Sequence, residues 1–250
     1  MAWLKGAVLL TATVLGAQPA LAQAQDDGRG GYVSLRLGAA SLSNTDIDYA
    51  DDGGTFGGTG TVDTLRTRAD VADAFAFGGA AGYDLGTARI DLEVDYSRSR
   101  FDGLQIRSVN GAAVTTISPA DAADFCDYAE VTNCSVSGNT IRFKGGRVRQ
   151  LSGLLNVWVD LPAGKAITPY VGGGLGIGGF ETGGEGKARF AWQAGAGVAV
   201  ALSPHVALTA DYRFRQISGA TFTDEGYPDY SLRVGKLKTH SLLAGLRFTF

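Results

Sequence analysis

The chain has 250 residues, of which 37 are glycine and 6 proline, with 45% apolar and 19% charged side chains. Its 22 basic and 25 acidic residues leave a net charge of −3 at pH 7. That balance excludes the basic surface that a nucleic-acid partner requires, and the length suits one domain.

The amino terminus reads as an export signal. Lys5 is the positive start, 6–17 is an apolar run, and Ala20-Leu21-Ala22 is an A-x-A cleavage site. The run falls short of the roughly 20 apolar residues of a spanning helix. The expected division is therefore a cleaved signal at 1–22 and one domain at 23–250.

Eight segments then alternate in polarity with period two, the signature of strands with one apolar face. The first spans 32–42, with Val33, Leu35, Leu37 and Ala39 opposite Ser34, Arg36 and Gly38. The second, 71–83, sets Phe75, Phe77, Ala81 and Tyr83 against small residues. The third, 88–101, is the clearest: Ile90, Leu92, Val94 and Tyr96 alternate with Arg89, Asp91, Glu93 and Asp95. In the fourth, 148–161, Leu151, Leu155, Val157 and Val159 oppose Gln150, Ser152, Asn156 and Asp160, while Leu154 and Trp158 fall on the polar face against the pattern. The fifth is 167–178, and the sixth, 188–202, carries Phe190 and Trp192. The seventh, 206–216, sets Tyr212 and Phe214 against Asp211, Arg213 and Arg215. The eighth, 237–250, sets Leu242, Leu246, Phe248 and Phe250 against Ser241, Gly245 and Arg247.

Short turns at 84–87, 162–166 and 203–205 alternate with long polar connections at 43–70, 102–147, 179–187 and 217–236. Such alternation describes antiparallel hairpins with every long loop at one end, the layout of outer-membrane barrels. The expected fold class is all-β: an eight-stranded antiparallel up-and-down transmembrane β-barrel. Cys126 and Cys134 lie in the second long loop, and an oxidising compartment predicts a disulfide between them.

The charge pattern decides which face meets lipid. Arg36, Arg89, Asp91, Glu93, Asp95, Asp160, Asp211, Arg213, Arg215 and Arg247 share the polar face in both signs. Eight strands enclose a space that side chains fill, so these ten are expected to form an ion-paired lumen network, with inward glycines such as Gly78, Gly174, Gly197 and Gly245 leaving room. The aromatic residues fall into two rims: Phe75, Phe77, Tyr96, Phe190, Trp192, Tyr212 and Phe214 toward the long loops, and Tyr83, Phe248 and Phe250 toward the short turns. Two rims are what an aromatic girdle at the headgroups requires.

Several motifs carry a resemblance: 168–176 (TPYVGGGLG), 191–197 (AWQAGAG), 211–214 (DYRF) and the closing GLRFTF of 245–250. With them the chain resembles the small outer-membrane β-barrels of Gram-negative bacteria, of the opacity and OmpA-like type. The resemblance implies an outer-membrane location after export, contact with outer-membrane lipids, and external loops that meet a ligand or host surface. It also implies that Gly245, Phe248 and Phe250 form the signal read by the barrel-assembly machinery. Leu243 departs from that signal, since a polar residue is usual there. Some relatives carry a soluble peptidoglycan-binding domain after the barrel, which a chain ending on its eighth strand is expected to lack.

Other chemistry finds little support. Gly174, Gly176 and Gly179 match G-x-G-x-x-G but sit in a strand, not before a helix. His240 and Ser241 are adjacent on a strand, so they point to opposite faces and cannot readily share a proton. Asp46, Asp48, Asp51 and Asp52 could attract calcium, but their spacing matches no EF-hand. No enzyme and no cofactor are expected. The leading reading is a structural or adhesive surface barrel. The alternatives are a narrow porin-like channel for small solutes and a soluble secreted barrel that binds a lipophilic ligand.

Overall fold

The computed structural model describes residues 29–51, 62–163, 166–182, 185–224 and 227–250. The expected signal at 1–22 lies outside them, as does Asp52. In chain order the elements are β1 (Gly30–Leu42), β2 (Thr45–Asp51), β3 (Asp63–Val71), β4 (Ala74–Asp84), β5 (Ala88–Val109), β6 (Ala112–Ala113), α1 (Pro119–Tyr128), β7 (Thr132–Ser137), β8 (Thr140–Lys144), β9 (Arg147–Asp160), β10 (Ile167–Thr182), β11 (Glu185–Ser203), β12 (Val206–Ile217), β13 (Ala220–Asp224), β14 (Tyr227–Val234) and β15 (Leu237–Thr249).

Eight of these close into a ring, in the order β1-β4-β5-β9-β10-β11-β12-β15 and back to β1, and every pairing is antiparallel. Closure joins β1 to β15, from Tyr32 opposite Thr249 to Leu42 opposite Thr239. A closed ring leaves no unpaired edge, which is what lipid demands of backbone amides.

The outer wall is apolar throughout its middle. Leu35 is 66% exposed, Leu92 61%, Leu155 59%, Leu175 61% and Leu242 67%. Side chains of this kind over a whole barrel surface are far beyond the apolar patch that a soluble monomer shows to water. The strands that carry them alternate strictly. In β5 the outward positions through Val94 are exposed while Arg89, Asp91, Glu93 and Asp95 are buried.

The long connections differ from the polar loops expected of them. Residues 43–70 form β2 and β3, residues 217–236 form β13 and β14, and β5 runs on to Val109 instead of stopping at 101. These strands continue the barrel wall as a second sheet, ordered β13-β14-β2-β3-β5, with β8 also on β5 and β7 on β8. β5, with 22 residues, belongs to both sheets. A spanning strand needs only about 9–11 residues, so half of β5 stands clear of the membrane. The period-two signal in β2 (Ile47 and Tyr49 between Asp46 and Asp48) is present in the sequence but short.

The second long connection also holds α1. Pro119 opens it, and the Ser118 hydroxyl accepts from the Asp121 N–H at 3.1 Å, an N-cap. Cys126 on α1 and Cys134 on β7 form a disulfide, as the compartment argument expected. Around it Ala122, Cys126 and Ile141 make a small core of their own, with Phe125, Val131 and Phe143 packed against them.

Candidate functional site in the lumen and above it

The lumen is packed in layers. At the short-turn end Trp158 and Tyr170 meet edge to face, with ring centroids 5.9 Å apart. Arg89 lies over the Tyr170 ring at 4.5 Å and pairs with Asp160 at 2.6 Å. Arg247 lies over the Tyr32 ring at 5.9 Å. Both arrangements place a guanidinium on a π face, where it keeps favourable electrostatics without water.

The middle layer centres on Glu93. Its carboxylate meets Arg36 at 3.0 Å, Arg213 at 2.6 Å and Arg215 at 3.1 Å. Arg215 also reaches Asp95 at 2.7 Å, and Arg213 reaches Asp211 at 3.0 Å. The ten charged residues singled out from sequence therefore all sit on the inward face, and eight of them take part in these pairs; Asp91 has no arginine partner among them and accepts from neutral donors. Arg247 takes the ring contact instead.

Neutral donors complete the layer. Asn156 donates to Asp91 at 2.7 Å and to Glu93 at 3.1 Å; Gln193 donates to Glu93 at 2.9 Å. The Trp158 indole N–H and the Tyr32 hydroxyl both donate to Asp91, at 3.1 and 2.6 Å, and the Tyr170 hydroxyl donates to Asp211 at 2.7 Å. Sequence reasoning missed these five donors as a set. Their signal was position alone: Asn156 and Trp158 share the inward register of Asp160, and Gln193 that of the glycines of β11. The glycines leave the space these groups occupy. A Cβ at Gly197 would lie 2.6 Å from the Tyr170 ring, and one at Gly174 would overlap the Asn156 amide.

The third layer lies toward the long-loop end and is mostly apolar, with the Thr239 hydroxyl donating to Gln150 within it at 3.2 Å. Leu42, Val148, Leu154, Phe180, Ala191, Ile217 and Leu237 point inward there, and Ala220, Phe222 and Val234 of the β13–β14 hairpin fold over them. Leu154 broke the polar-face pattern because it packs into this cluster, although Glu93 stands opposite it and the inward residues beyond it, Ser152 and Gln150, are polar and buried. Trp158 broke it for another reason, because its indole serves Asp91.

Above this layer the loop sheet borders an open cavity of about 630 Å³. Phe101 and Leu104 of β5, Phe125 and Val131 beside α1, Phe143 of β8 and Leu232 of β14 line it, with Arg147, Arg149 and Glu181 at one side. Its aromatic walls carry four charged residues, Glu130, Arg147, Arg149 and Glu181, and a volume of this size can take a small ligand.

Outward aromatic residues form close pairs on the wall. Phe77 and Tyr96 have centroids 5.2 Å apart, and Trp192 and Phe214 5.3 Å. Phe250 lies at the opposite end beside Gly31, whose Cβ would meet its ring at 2.8 Å. His240 also points outward: its Nδ1 is 2.8 Å from the Tyr212 hydroxyl and its ring packs on Phe214 at 5.0 Å. Gly174, Gly176 and Gly179 all lie inside β10, bonded to β9 and β11. Among the described acidic residues of the first connection, Asp46 faces Arg107 at 3.5 Å and Asp51 accepts from the Tyr49 hydroxyl at 3.0 Å.

A closed eight-stranded ring with an apolar exterior and a charged, filled interior defines a small outer-membrane β-barrel of a Gram-negative bacterium. The family model of the surface antigens matches residues 62–241, and the chain belongs to that family. Among solved structures it is similar to the outer membrane protein OprG from Pseudomonas aeruginosa, at 15% identity over 88% of this chain and 97% of that one, with a TM-score of 0.52. It is also similar to Neisserial surface protein A, at 18% identity over 88% and 97% of the two chains, with a TM-score of 0.46. A search of curated proteins gives no match. At these identities the structural likeness bears on the fold.

Proposed function

We propose that the barrel is a sealed membrane anchor and that the sheet it carries on its long-loop side is a contact platform for an external ligand or surface. The observation that supports this most is the mostly apolar cluster of Val148, Phe180 and Ile217 at the long-loop end of the lumen, together with an ordered, disulfide-pinned sheet on that side. Such a layer disfavours ions and water, while the sheet above it presents a fixed surface and a lined cavity. No residue is given a catalytic role: His240 meets a tyrosine hydroxyl on the lipid face, not a nucleophile. Residues 1–22 act as the export signal in this reading, and Gly245, Phe248 and Phe250 as the assembly signal.

Replacing 115–139 with a short linker tests the platform. The loss of ligand or surface binding is expected with heat-modifiable mobility retained; binding that survives the excision overturns the proposal. Planar-bilayer recording separates the anchor from a channel. Under the anchor reading the purified protein gives no steady open pore, whereas a stable conductance that increases on Leu154→Ala supports the channel.

A further inference from the structure

Four arginines stand in a square on the outer wall. On β5 the outward residues after Tyr96 are Arg98 and Arg100; on β9 the outward residues before Leu151 are Arg147 and Arg149. The register sets Arg98 directly opposite Arg149 and Arg100 directly opposite Arg147, and all four are exposed. Between them, Ser99 and Val148 point inward and are buried. Side chains directly opposite on antiparallel strands have Cβ atoms about 5 Å apart, and like charges there repel. Two consecutive like-charged rungs are therefore a cost that the strand pair carries unless an anion lies across them.

The neighbouring charges do not remove the excess. Glu181 on β10 takes Arg149 at 3.4 Å, with both side chains near half exposed. Asp73 is next to Ala72, whose N–H bonds the Arg100 carbonyl at 2.9 Å. Even with Asp73 and the exposed Asp102 counted beside Glu181, three carboxylates stand against four guanidinium groups, so the square keeps a net positive charge.

Its height on the wall identifies the anion. The rung below holds Tyr96 opposite Leu151, and Phe77 packs on Tyr96 at 5.2 Å. Phe75 lies opposite Arg98 on β4. Each pair of residues along a strand rises about 7 Å, so the lower rung, Arg98 and Arg149, is level with Phe75 of the aromatic rim and the upper rung stands about 7 Å farther along the strands. Aromatic rims mark the edge of the hydrocarbon. The arginines thus stand at headgroup level on the long-loop side, the leaflet that faces outward. Guanidinium forks bind phosphate oxygens in pairs.

We propose that Arg98, Arg100, Arg147 and Arg149 form a site for the phosphate of an outer-leaflet phosphoglycolipid, whose acyl chains lie against the Phe75, Phe77 and Tyr96 side of the wall. The bound phosphate offsets the repulsion of the two rungs and fixes that side of the barrel to the leaflet.

The test uses the folded protein in nonionic detergent, with bisphosphorylated lipid A, its dephosphorylated form and inorganic phosphate as probes. The thermal midpoint is expected to rise with the bisphosphorylated lipid and with neither control. Arg98→Gln/Arg147→Gln is expected to weaken the apparent affinity by roughly tenfold or more, as loss of bidentate pairs implies. Arg100→Glu places opposite charges on one rung, so it is expected to unfold at a higher temperature than the wild type without lipid and to lose most of the lipid response. Because that variant adds an ion pair, folding is not at risk in it. A lipid response unchanged in both variants overturns the proposal. An equal response to dephosphorylated lipid shows that the acyl chains alone carry binding, and an equal response to inorganic phosphate shows a free-anion site; either overturns the lipid assignment.

Discussion

Glu93 holds three guanidinium groups on one carboxylate, with Asn156 and Gln193 supplying its remaining hydrogen bonds. Substituting it by Gln removes the charge but keeps the volume, and leaves three arginines facing a neutral amide. Breaking a buried pair of this kind costs about 3–5 kcal/mol. Glu93→Gln is therefore expected to lower the urea midpoint of the barrel in lipid vesicles by a margin outside error, and an unchanged midpoint would show that Asp95 and Asp211 suffice. Leu154→Ala acts through packing instead. It opens a cavity in the apolar cluster it shares with Ala191 and Ile217, at about 2–5 kcal/mol, and denaturant unfolding of the same vesicles measures it. Trp158 is more than filler. Its ring lies under Arg213 at 4.1 Å while its N–H serves Asp91, so Trp158→Phe keeps the aromatic face and isolates the hydrogen bond.

At the level of elements, the disulfide region and the barrel are separately held. α1, β7 and β8 pack around Ala122, Cys126 and Ile141, away from the lumen layers. Cys126→Ser/Cys134→Ser is expected to make 115–139 sensitive to protease while leaving a resistant barrel fragment and its heat-modifiable mobility; simultaneous loss of both would mean that the loop domain props up the wall. The eight ring strands were readable from their alternation because lipid outside and charge inside impose opposite demands on successive residues. The loop strands were not. β14 pairs with β2 across most of the chain length, from Ser231 opposite Ala50 to Val234 opposite Ile47, and no local pattern announces such a partner. Leu154 stood against the pattern for a related reason: alternation along one strand says nothing of contacts across the lumen, and Leu154 packs in a cluster with Ala191 and Ile217 while Ser152 and Gln150 beyond it stay polar.

For the whole molecule, the exterior of Leu35, Leu92, Leu175 and Leu242 fixes the solvent. The folded chain without 1–22 is expected to stay monomeric only in detergent or lipid, and sedimentation in plain buffer checks it; a monodisperse species there removes the basis for a membrane barrel. The length of β5 carries a further consequence for such an anchor. One continuous backbone, bonded to β3 and β8 outside and to β4 and β9 within the bilayer, joins tip to base without a hinge. A tug on the tip, directed along the strand, loads its rows of amide bonds in shear, all together and not one after another. If the proposed anchor role holds, the molecule would resist extraction along the strand and give way more easily when the same force comes from the side.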